Sequence, residues 1–279
     1  MNSINNLKSI VDCHTHSSFS IDSQMPAKDG VLSAMNLGLG GLIFTDHLDL
    51  DYPKAENGES KYEYTFDFAA RSKFLDNIRN EFGTGAKVLK GLELGFQPQI
   101  VKQASEIVKS YDFDFVILSV HVVDRIDLCH KAFHEGQSKK QVFTRYLQAI
   151  YESVDKFDDF DVVGHIGYIC RYVSYPDKSL KYIDYSDILD MIFKKVIQKG
   201  KGIEVNTAGY FYKLGFTHPD FDSIARYKEL GGEIITIGSD AHDASRIGEN
   251  FGLVVKRLSE IGFKYVTYFE NRKPVFVKI

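Results

Sequence analysis

Apolar runs of strand length recur along this chain, and each is followed by a histidine or a carboxylate. The first run is Val11-Asp12-Cys13-His14-Thr15-His16, and later runs end at Asp46-His47, Glu93, His121, His165 and Asp240-Ala241-His242. Successive side chains of a strand point to opposite faces, so His14 and His16 share one face. A buried core histidine explains one such case, but not the same placement in successive strands. The pattern indicates one site built from several strand ends.

Segments with helical periodicity lie between these runs. Apolar residues spaced three and four apart predict helices around residues 68–82, 101–108, 142–157, 188–196, 224–230 and 254–261. Ser138 and Gln141 have the spacing of a capping box, and Pro98 marks another helix start. Strand followed by helix, repeated about seven times, is typical of a parallel β/α barrel. The active site of such a barrel lies at the carboxyl ends of its strands, where the histidines and carboxylates fall.

Length and composition predict a single domain over residues 1–279. Hydrophobic residues make up 44% of the 279 residues, and no linker of biased composition divides the chain. The longest polar segment, residues 49–65, is predicted to be a loop, and long loops in compact domains often cover or bind ligands. Its acidic and aromatic residues either form a solvated surface or close over a cationic substrate: Asp49, Asp51, Tyr52, Glu56, Tyr62 and Tyr64.

Charge and cysteine content exclude several classes of protein. The 34 basic and 38 acidic residues give a net charge of −4 without a basic stripe, which disfavours nucleic-acid binding. The three cysteines, Cys13, Cys129 and Cys170, lack a Cys-x-x-Cys pattern, which argues against a disulfide framework or a thiolate zinc knot. The first residues lack the features of a signal peptide, and no window is apolar enough to span a membrane. We therefore expect no membrane association and a cytoplasmic location, while the sequence does not indicate an oligomeric state.

The ordered set of motifs resembles the PHP (polymerase and histidinol phosphatase) superfamily. The motifs are His14-x-His16, Thr45-Asp46-His47, Glu93, His121, Gly164-His165 and Ser239-Asp240-Ala241-His242. The resemblance covers about residues 10–245, and segments 164–172 and 204–209 are similar to the monofunctional histidinol-phosphate phosphatases of that superfamily. It implies a distorted seven-stranded β/α barrel with three divalent metal ions at its mouth.

The same resemblance implies which residues hold the metals. His14, His16, Glu93 and Asp240 would hold the first ion, Glu93, His121 and His165 the second, and Asp22, His47 and His242 the third. Several relatives have histidine at the position of Asp22. Mixed nitrogen and oxygen ligands suit zinc, manganese or iron. Clustered divalent ions provide the hydroxide and the charge stabilisation that hydrolysis of a phosphate ester requires.

Two arginines and one histidine are candidates for substrate binding or catalysis. Arg171 follows a ligand strand, and a guanidinium matches phosphate in a bidentate way, although a salt-bridged surface arginine is the alternative. Arg125, shortly after His121, is the second candidate for substrate binding. His218 is either a proton donor, a residue that orients a metal ligand, or a loop cap.

Four further polar residues are open to simpler explanations. Glu204 and Asn206 share a strand face and either orient ligands by hydrogen bonds or form a polar pair in the core. His130 and His134 lie in the polar loop after His121 and are predicted to be solvated.

The resemblance predicts a metal-dependent phosphomonoesterase that hydrolyses L-histidinol phosphate to L-histidinol and phosphate in histidine biosynthesis. One alternative is a PHP phosphoesterase acting on a nucleotide, a sugar phosphate or phosphotyrosine. An amidohydrolase also begins with His-x-His on a barrel strand, but it gives no reason for the terminal Asp-x-His pair. A non-catalytic binding module is disfavoured because no expected ligand position has become apolar.

Overall fold

The computed structural model describes residues 7–53 and 65–279, which contain twelve strands and eight α-helices. The strands are β1 Val11–Thr15, β2 Gly41–Phe44, β3 His47–Asp49, β4 Lys87–Gly95, β5 Phe115–Ser119, β6 Val122–Val123, β7 Ile126–Asp127, β8 Val162–Val163, β9 Gly202–Asn206, β10 Ile235–Gly238, β11 Tyr265–Glu270 and β12 Lys273–Lys278. The helices are α1 Ala27–Asn36, α2 Phe68–Phe82, α3 Val101–Ser110, α4 Lys139–Lys156, α5 Ser186–Gln198, α6 Ala208–Phe211, α7 Phe221–Glu229 and α8 Phe251–Ile261.

Seven parallel strands form a nearly closed barrel. They pair in the order β1-β2-β4-β5-β8-β9-β10, and β3 pairs with the end of β4. The segment after β10 then returns to β1, because the N–H of Asp240 donates to the carbonyl oxygen of His14 at 2.8 Å. A bridge between Thr15 and Ala241 lies next to this contact. The predicted seven-stranded β/α barrel is therefore confirmed.

Six of the helices, α2–α5, α7 and α8, lie where the sequence periodicity predicts helices, whereas α1 and α6 were not predicted. The capping box at the start of α4 is present, with the Ser138 side chain accepting from the N–H of Gln141. Pro98 starts a short 3-10 turn, and α3 itself begins only at Val101. Buried apolar residues of these helices pack with the outer faces of the strands in one large core. None of the described helices has the length and apolar composition that crossing a bilayer requires.

Two strand ends differ from the sequence prediction. The run from residue 41 to His47 divides into β2 and β3, because the buried carboxylate of Asp46 turns aside to bind Ser17 and Arg71. Glu93 does not end its strand, since β4 continues to Gly95 and pairs with β3. The pairing sets His47 directly opposite Glu93.

The hairpin β11–β12 covers the amino end of the barrel. Arg272 in its turn pairs with Asp161 at 2.6 Å, just before β8. The N–H of Arg272 donates to the carbonyl oxygen of Asp114, just before β5, at 2.9 Å. Tyr268 and Phe269 of the hairpin join a buried apolar cluster with Cys13 and other residues of the parallel strands. The hairpin thus closes the end of the barrel opposite to the predicted site.

Candidate metal centre

The structure brings together all the side chains that the sequence predicted as metal ligands. They lie at the carboxyl end of the barrel strands, on β1, β3 and β4 or on the segments that follow β1, β5, β8 and β10. The set comprises His14, His16, Asp22, His47, Glu93, His121, His165, Asp240 and His242. Asp22 and His242 lie on the solvent side of the cluster, and the others are largely or fully buried.

A first group surrounds the two histidines of β1. Nε2 of His14 lies 3.2 Å from Oε2 of Glu93 and 3.6 Å from Oδ1 of Asp240. Nε2 of His16 lies 3.4 Å and 3.3 Å from the same two oxygens. Two imidazole nitrogens and two carboxylate oxygens therefore face one another at the spacing of ligands around one ion.

A second group uses the other oxygen of Glu93. Oε1 lies 3.1 Å from Nε2 of His121 and 2.7 Å from Nε2 of His165. The two imidazole nitrogens are 3.4 Å apart. Ser119 donates a hydrogen bond of 2.8 Å to Oε1 and fixes the carboxylate. Because its two oxygens face two groups, Glu93 has the geometry of a bridging carboxylate.

A third group lies at the solvent edge. Oδ2 of Asp22 is 3.5 Å from Nε2 of His47 and 3.3 Å from Nε2 of His242. The imidazole of His16 stacks between those of His47 and His242, with ring centroids 4.3 Å and 4.0 Å away. Nδ1 of His47 lies 2.9 Å from Oε2 of Glu93, so this group adjoins the first two.

The donor atoms fit divalent metal ions. Within residues 7–53 and 65–279, Nε2 of His14, Nε2 of His16 and Oε2 of Glu93 are buried and lie close together without meeting in hydrogen-bonding geometry. A buried polar atom left without a hydrogen bond costs about 1–3 kcal/mol, so such clusters are rare in folded proteins. Imidazole and carboxylate groups are ligands of divalent transition metals. Metal ions at the cluster would engage these atoms.

The imidazoles and carboxylates of the cluster shift one another's pKa values. Burial opposes protonation of His14 and His47, but neighbouring carboxylates raise both pKa values well above the usual range. Burial opposes ionisation of Glu93, but His14, His47 and His121 hold its pKa well below the usual value. Burial, together with nearby His242 and His47, lowers the pKa of His16 to about 3. Its imidazole is therefore neutral at physiological pH, the form that binds a metal.

A cavity of about 340 Å³ opens over the cluster. Its lining residues are Asp22, His47, Glu93, His121, His165, Tyr168, Arg171, Tyr172, Phe211, Tyr212, Asp240, His242, Asp243 and Arg246. Nη2 of Arg171 donates to Oδ2 of Asp240 at 2.8 Å, and the guanidinium lies 4.8 Å and 4.9 Å from the ring centres of Tyr168 and Tyr212. Burial opposes the charge of Arg171, but Asp240 raises its pKa. A fixed cation therefore lies beside the metal ligands, where it can contact an anion.

A comparison with family models decides the assignment. The model of the PHP domain matches residues 12–208. The chain belongs to the PHP domain family.

Curated relatives and solved structures of PHP proteins match nearly the whole chain. A Clostridium acetobutylicum protein named "Probable histidinol-phosphatase" is 34% identical over 263 residues, which are 94% of this chain and 98% of the relative. The histidinol-phosphatase of Lactococcus lactis is 29% identical over 271 residues, 94% of this chain and 95% of the relative. The crystal structure of the Lactococcus lactis histidinol phosphate phosphatase, complexed with zinc, L-histidinol and phosphate, has a TM-score of 0.88 and 28% identity. That match covers 96% of this chain and 99% of the other.

Glu204 fixes two ligand-bearing strands of this PHP domain. Its Oε1 lies 2.6 Å from Nδ1 of His14, and its Oε2 accepts the backbone N–H of His165 at 2.7 Å. Asn206 donates to the same Oε2 at 3.2 Å. With Nδ1 of His14 engaged as donor, Nε2 is left to face the cluster, which is how outer carboxylates orient metal-bound histidines. Of the two explanations given by the sequence, ligand orientation is the one that this geometry favours.

Asp49 orients His121 in the same way. Its Oδ1 lies 2.8 Å from Nδ1 of His121. Asp49 differs from the predicted polar loop, because the residue ends β3 and its carboxylate turns toward the predicted ligand His121. Asp51 lies 3.2 Å from Arg125, and Tyr52 donates to Asp127. The loop residues Glu56, Tyr62 and Tyr64 lie outside the described residues, so the predicted cover over the substrate stays a prediction.

Two sequence candidates, Arg125 and His218, lie outside the cavity of the PHP domain. Arg125 is exposed and pairs with Asp51, so the structure gives no support to its predicted role in substrate binding. His218 is fully buried against Gly167, and burial together with Arg171 lowers its pKa well below the usual value. A neutral imidazole away from the cavity favours a positioning role over proton donation. His134 was predicted to be solvated, which is wrong, because its loop folds onto Ser174 and buries it, whereas His130 is exposed.

Sequence reasoning missed one wall of the cavity. Phe211 and Tyr212 lie at the end of α6 and are half-exposed, and the guanidinium of Arg246 lies 3.6 Å from the ring centre of Phe211. Asp243 is an exposed neighbour on the same wall. Asp243 and Arg246 closely follow the predicted ligand His242 in sequence, and this position could have placed them near the site. Phe211 and Tyr212 have no such signal, since they follow a strand without a predicted metal ligand.

Proposed function

We propose that this PHP protein is a metal-dependent histidinol-phosphatase that hydrolyses L-histidinol phosphate to L-histidinol and phosphate, a step of histidine biosynthesis. The observation that carries the proposal is a buried cluster of imidazole and carboxylate donors with a fixed arginine in the same cavity. The nearly full-length match to the Lactococcus lactis structure, which holds zinc, L-histidinol and phosphate, supports the same substrate.

We further propose three divalent ions, of zinc, manganese or iron, each held by one of the three groups described above. Ions at such a centre supply a nucleophile at neutral pH and stabilise charge on the phosphoryl oxygens. Glu93 holds the first two groups together, and Asp22 completes the third with His47 and His242. Asp22 gives this third group an oxygen donor, which favours a harder metal there than a third histidine would.

Arg171 binds the phosphate in this proposal. Asp240 and two tyrosine rings hold the guanidinium in place. Its Nε is buried and has no hydrogen-bond partner within the described part of the chain, and the side chain lines the cavity. A guanidinium fixed before the substrate arrives needs little reorganisation when negative charge develops on the phosphoryl group.

The part of the cavity lined by Phe211 and Asp243 suits the other end of the substrate. Histidinol carries a planar imidazole and an ammonium group. Phe211 and Tyr212 offer aromatic faces, and Asp243 offers a carboxylate at the rim. Aromatic faces bind planar rings and cations, and a carboxylate pairs with an ammonium group. The cavity thus has a cationic inner side for phosphate and an aromatic and acidic outer side for the leaving group.

Two broader predictions accompany the function. The barrel and the hairpin that closes it support one domain over residues 1–279. We also propose a cytoplasmic location and no binding to nucleic acid or membranes, because the proposed substrate is a small biosynthetic molecule.

A substrate panel tests the function. The zinc- and manganese-loaded proteins should be assayed with histidinol phosphate, a nucleoside monophosphate, a sugar phosphate, a phosphotyrosine peptide and an amide. We expect kcat/KM for histidinol phosphate to exceed the others by about 100-fold or more, because contacts to the leaving group add to transition-state binding. Elemental analysis of protein purified without chelator counts the ions.

Each contrary result has a defined meaning. Equal rates on all phosphate esters would replace the proposal with a general PHP phosphoesterase. Hydrolysis of the amide alone would indicate an amidohydrolase. Binding of histidinol phosphate without turnover by the metal-loaded protein would indicate a binding module.

A further inference from the structure

A separate group of potential metal ligands lies at the end of β7 and on the turn that follows it. The group consists of Asp127, Cys129 and His130, whose carboxylate oxygen, sulfur and imidazole nitrogen lie within 4.8 Å of one another. It shares no residue with the metal centre. Cys129 is the exposed one of the three cysteines, whereas Cys13 and Cys170 are buried.

Hydrogen bonds within the turn hold the three residues together. The N–H of Cys129 donates to Oδ1 of Asp127 at 2.8 Å. The N–H of His130 donates to the carbonyl oxygen of Asp127 at 2.9 Å. The Asp127 side chain is largely buried and is further fixed by the hydroxyl of Tyr52. One ligand is therefore preorganised, while the exposed side chains of Cys129 and His130 are able to rotate.

The donor set matches zinc and related thiophilic ions. A tetrahedral zinc ion with bonds of about 2.0–2.3 Å sets its ligand atoms about 3.3–3.8 Å apart. The present spacing of up to 4.8 Å is wider, and Cys129 and His130 are exposed, so packing does not fix their side chains. Thiolate and carboxylate together carry two negative charges, which balance a divalent cation, and three protein ligands leave one position for water.

We propose that Asp127, Cys129 and His130 form a binding site for a thiophilic divalent cation, separate from the metal centre. Burial and the neighbouring Asp127 raise the pKa of the Cys129 thiol to about 12, so the thiol is protonated in the metal-free protein. Binding forms the sulfur–metal bond and releases the thiol proton to solvent. The ion would cross-link the turn that follows His121, whose carbonyl oxygen already accepts the N–H of Leu128 at 3.0 Å.

Cobalt provides a spectroscopic test on the metal-loaded protein. The metal centre has only nitrogen and oxygen donors, so a near-ultraviolet thiolate-to-cobalt charge-transfer band reports the new site alone. On titration with Co²⁺ we expect this band to saturate at one equivalent and to be absent in Cys129→Ser. His130→Ala should weaken binding by about tenfold or more, since even an outer partner of a metal ligand contributes about that much.

Matched variants distinguish a metal site with three protein ligands from metal binding by the Cys129 thiol alone. Lys131→Ala removes an exposed side chain next to His130 that offers no ligand, so it should leave Co²⁺ affinity unchanged. Phosphatase turnover should be unchanged in Cys129→Ser, which makes the result independent of the proposed function. Zn²⁺ should slow labelling of Cys129 by a thiol reagent in the wild type but not in His130→Ala. Absence of the band, or equal Co²⁺ affinity in the wild type and His130→Ala, would overturn the proposal.

Discussion

The two ends of the barrel differ in whether buried polar groups find hydrogen-bond partners within the protein. At the amino end, the buried carboxylate of Asp161 pairs with Arg272 at 2.6 Å, and the buried carboxylate of Asp114 accepts the N–H of Lys90 at 2.9 Å. Lys87 and Glu270 form a more exposed pair at 2.6 Å. At the carboxyl end, Nε2 of His14 and Oε2 of Glu93 are buried and have no hydrogen-bond partner among the described residues. The buried carboxylates at the amino end have protein partners, whereas the carboxyl end requires ligands to satisfy these polar atoms. One fold thus divides stability and function between its ends.

Loss of the bridging carboxylate should have the largest effect. Glu93→Ala removes an oxygen donor from two metal groups, so we expect kcat/KM for histidinol phosphate to fall by about 1,000-fold or more. Glu270→Ala at the amino end is the matched control and should keep wild-type kinetics. Circular dichroism and metal analysis should show a folded Glu93→Ala protein with fewer bound ions. Full activity of the metal-depleted wild type would contradict the assignment of the carboxyl end.

Arg171→Ala should have the next largest effect. It removes the phosphate-binding guanidinium, so kcat/KM should fall by about 100-fold on histidinol phosphate and on a small aryl phosphate alike. Arg171→Lys should restore only part of the rate, because an ammonium cannot make two parallel hydrogen bonds. Arg226→Ala, which disrupts an outer ion pair with Asp190, serves as control. A loss restricted to histidinol phosphate would assign Arg171 to the leaving group instead.

Glu204→Gln should weaken metal binding without removing a ligand. The amide cannot accept from both Nδ1 of His14 and the N–H of His165, so His14 loses its fixed orientation. We expect zinc affinity to fall by about 10- to 100-fold, measured by competition with a chelator. The exposed Glu233→Gln should bind zinc like the wild type. Unchanged zinc affinity in Glu204→Gln would mean that Glu204 is only a polar residue of the core and does not orient a metal ligand.

Arg272→Ala tests the opposite end. The variant leaves the buried carboxylate of Asp161 without its partner, so the free energy of unfolding should fall by about 2 kcal/mol. Denaturant unfolding measures the loss, and kcat/KM should stay at the wild-type value. A change in kinetics would mean that the two ends are coupled.

The smallest effect concerns acid stability. His218 has a pKa well below 6.5 in the folded protein, so below about pH 6.5 the unfolded chain binds a proton that the folded protein does not. The free energy of unfolding is therefore unaffected by this residue above that pH, and it is lower by about 1.4 kcal/mol at about pH 5.5. His218→Gln should show a correspondingly shallower loss between neutral pH and pH 5.5 in thermal unfolding. Identical pH profiles would show that His218 does not titrate on unfolding.

Local sequence patterns predicted those parts of the site that depend on one strand at a time. Alternation placed His14 and His16 on one face, and the same reasoning found the ligands after later strands. Hydrogen-bond partners that lie far apart in sequence could not be predicted. Asp49 and His121 meet only because β3 pairs with β4 and β4 pairs with β5. The closing hairpin was missed for the same reason, since its role depends on contacts with Asp114 that no local pattern encodes.

The shared carboxylate of Glu93 would couple the loading of the two proposed ions that adjoin it. An ion in either group changes the charge that the other group presents to the next ion, because one carboxylate serves both. The binding free energies of the two groups are then not additive, and neither group has an affinity that is a property of its own ligands alone. A substitution in one group would therefore change the metal affinity of the other group as well.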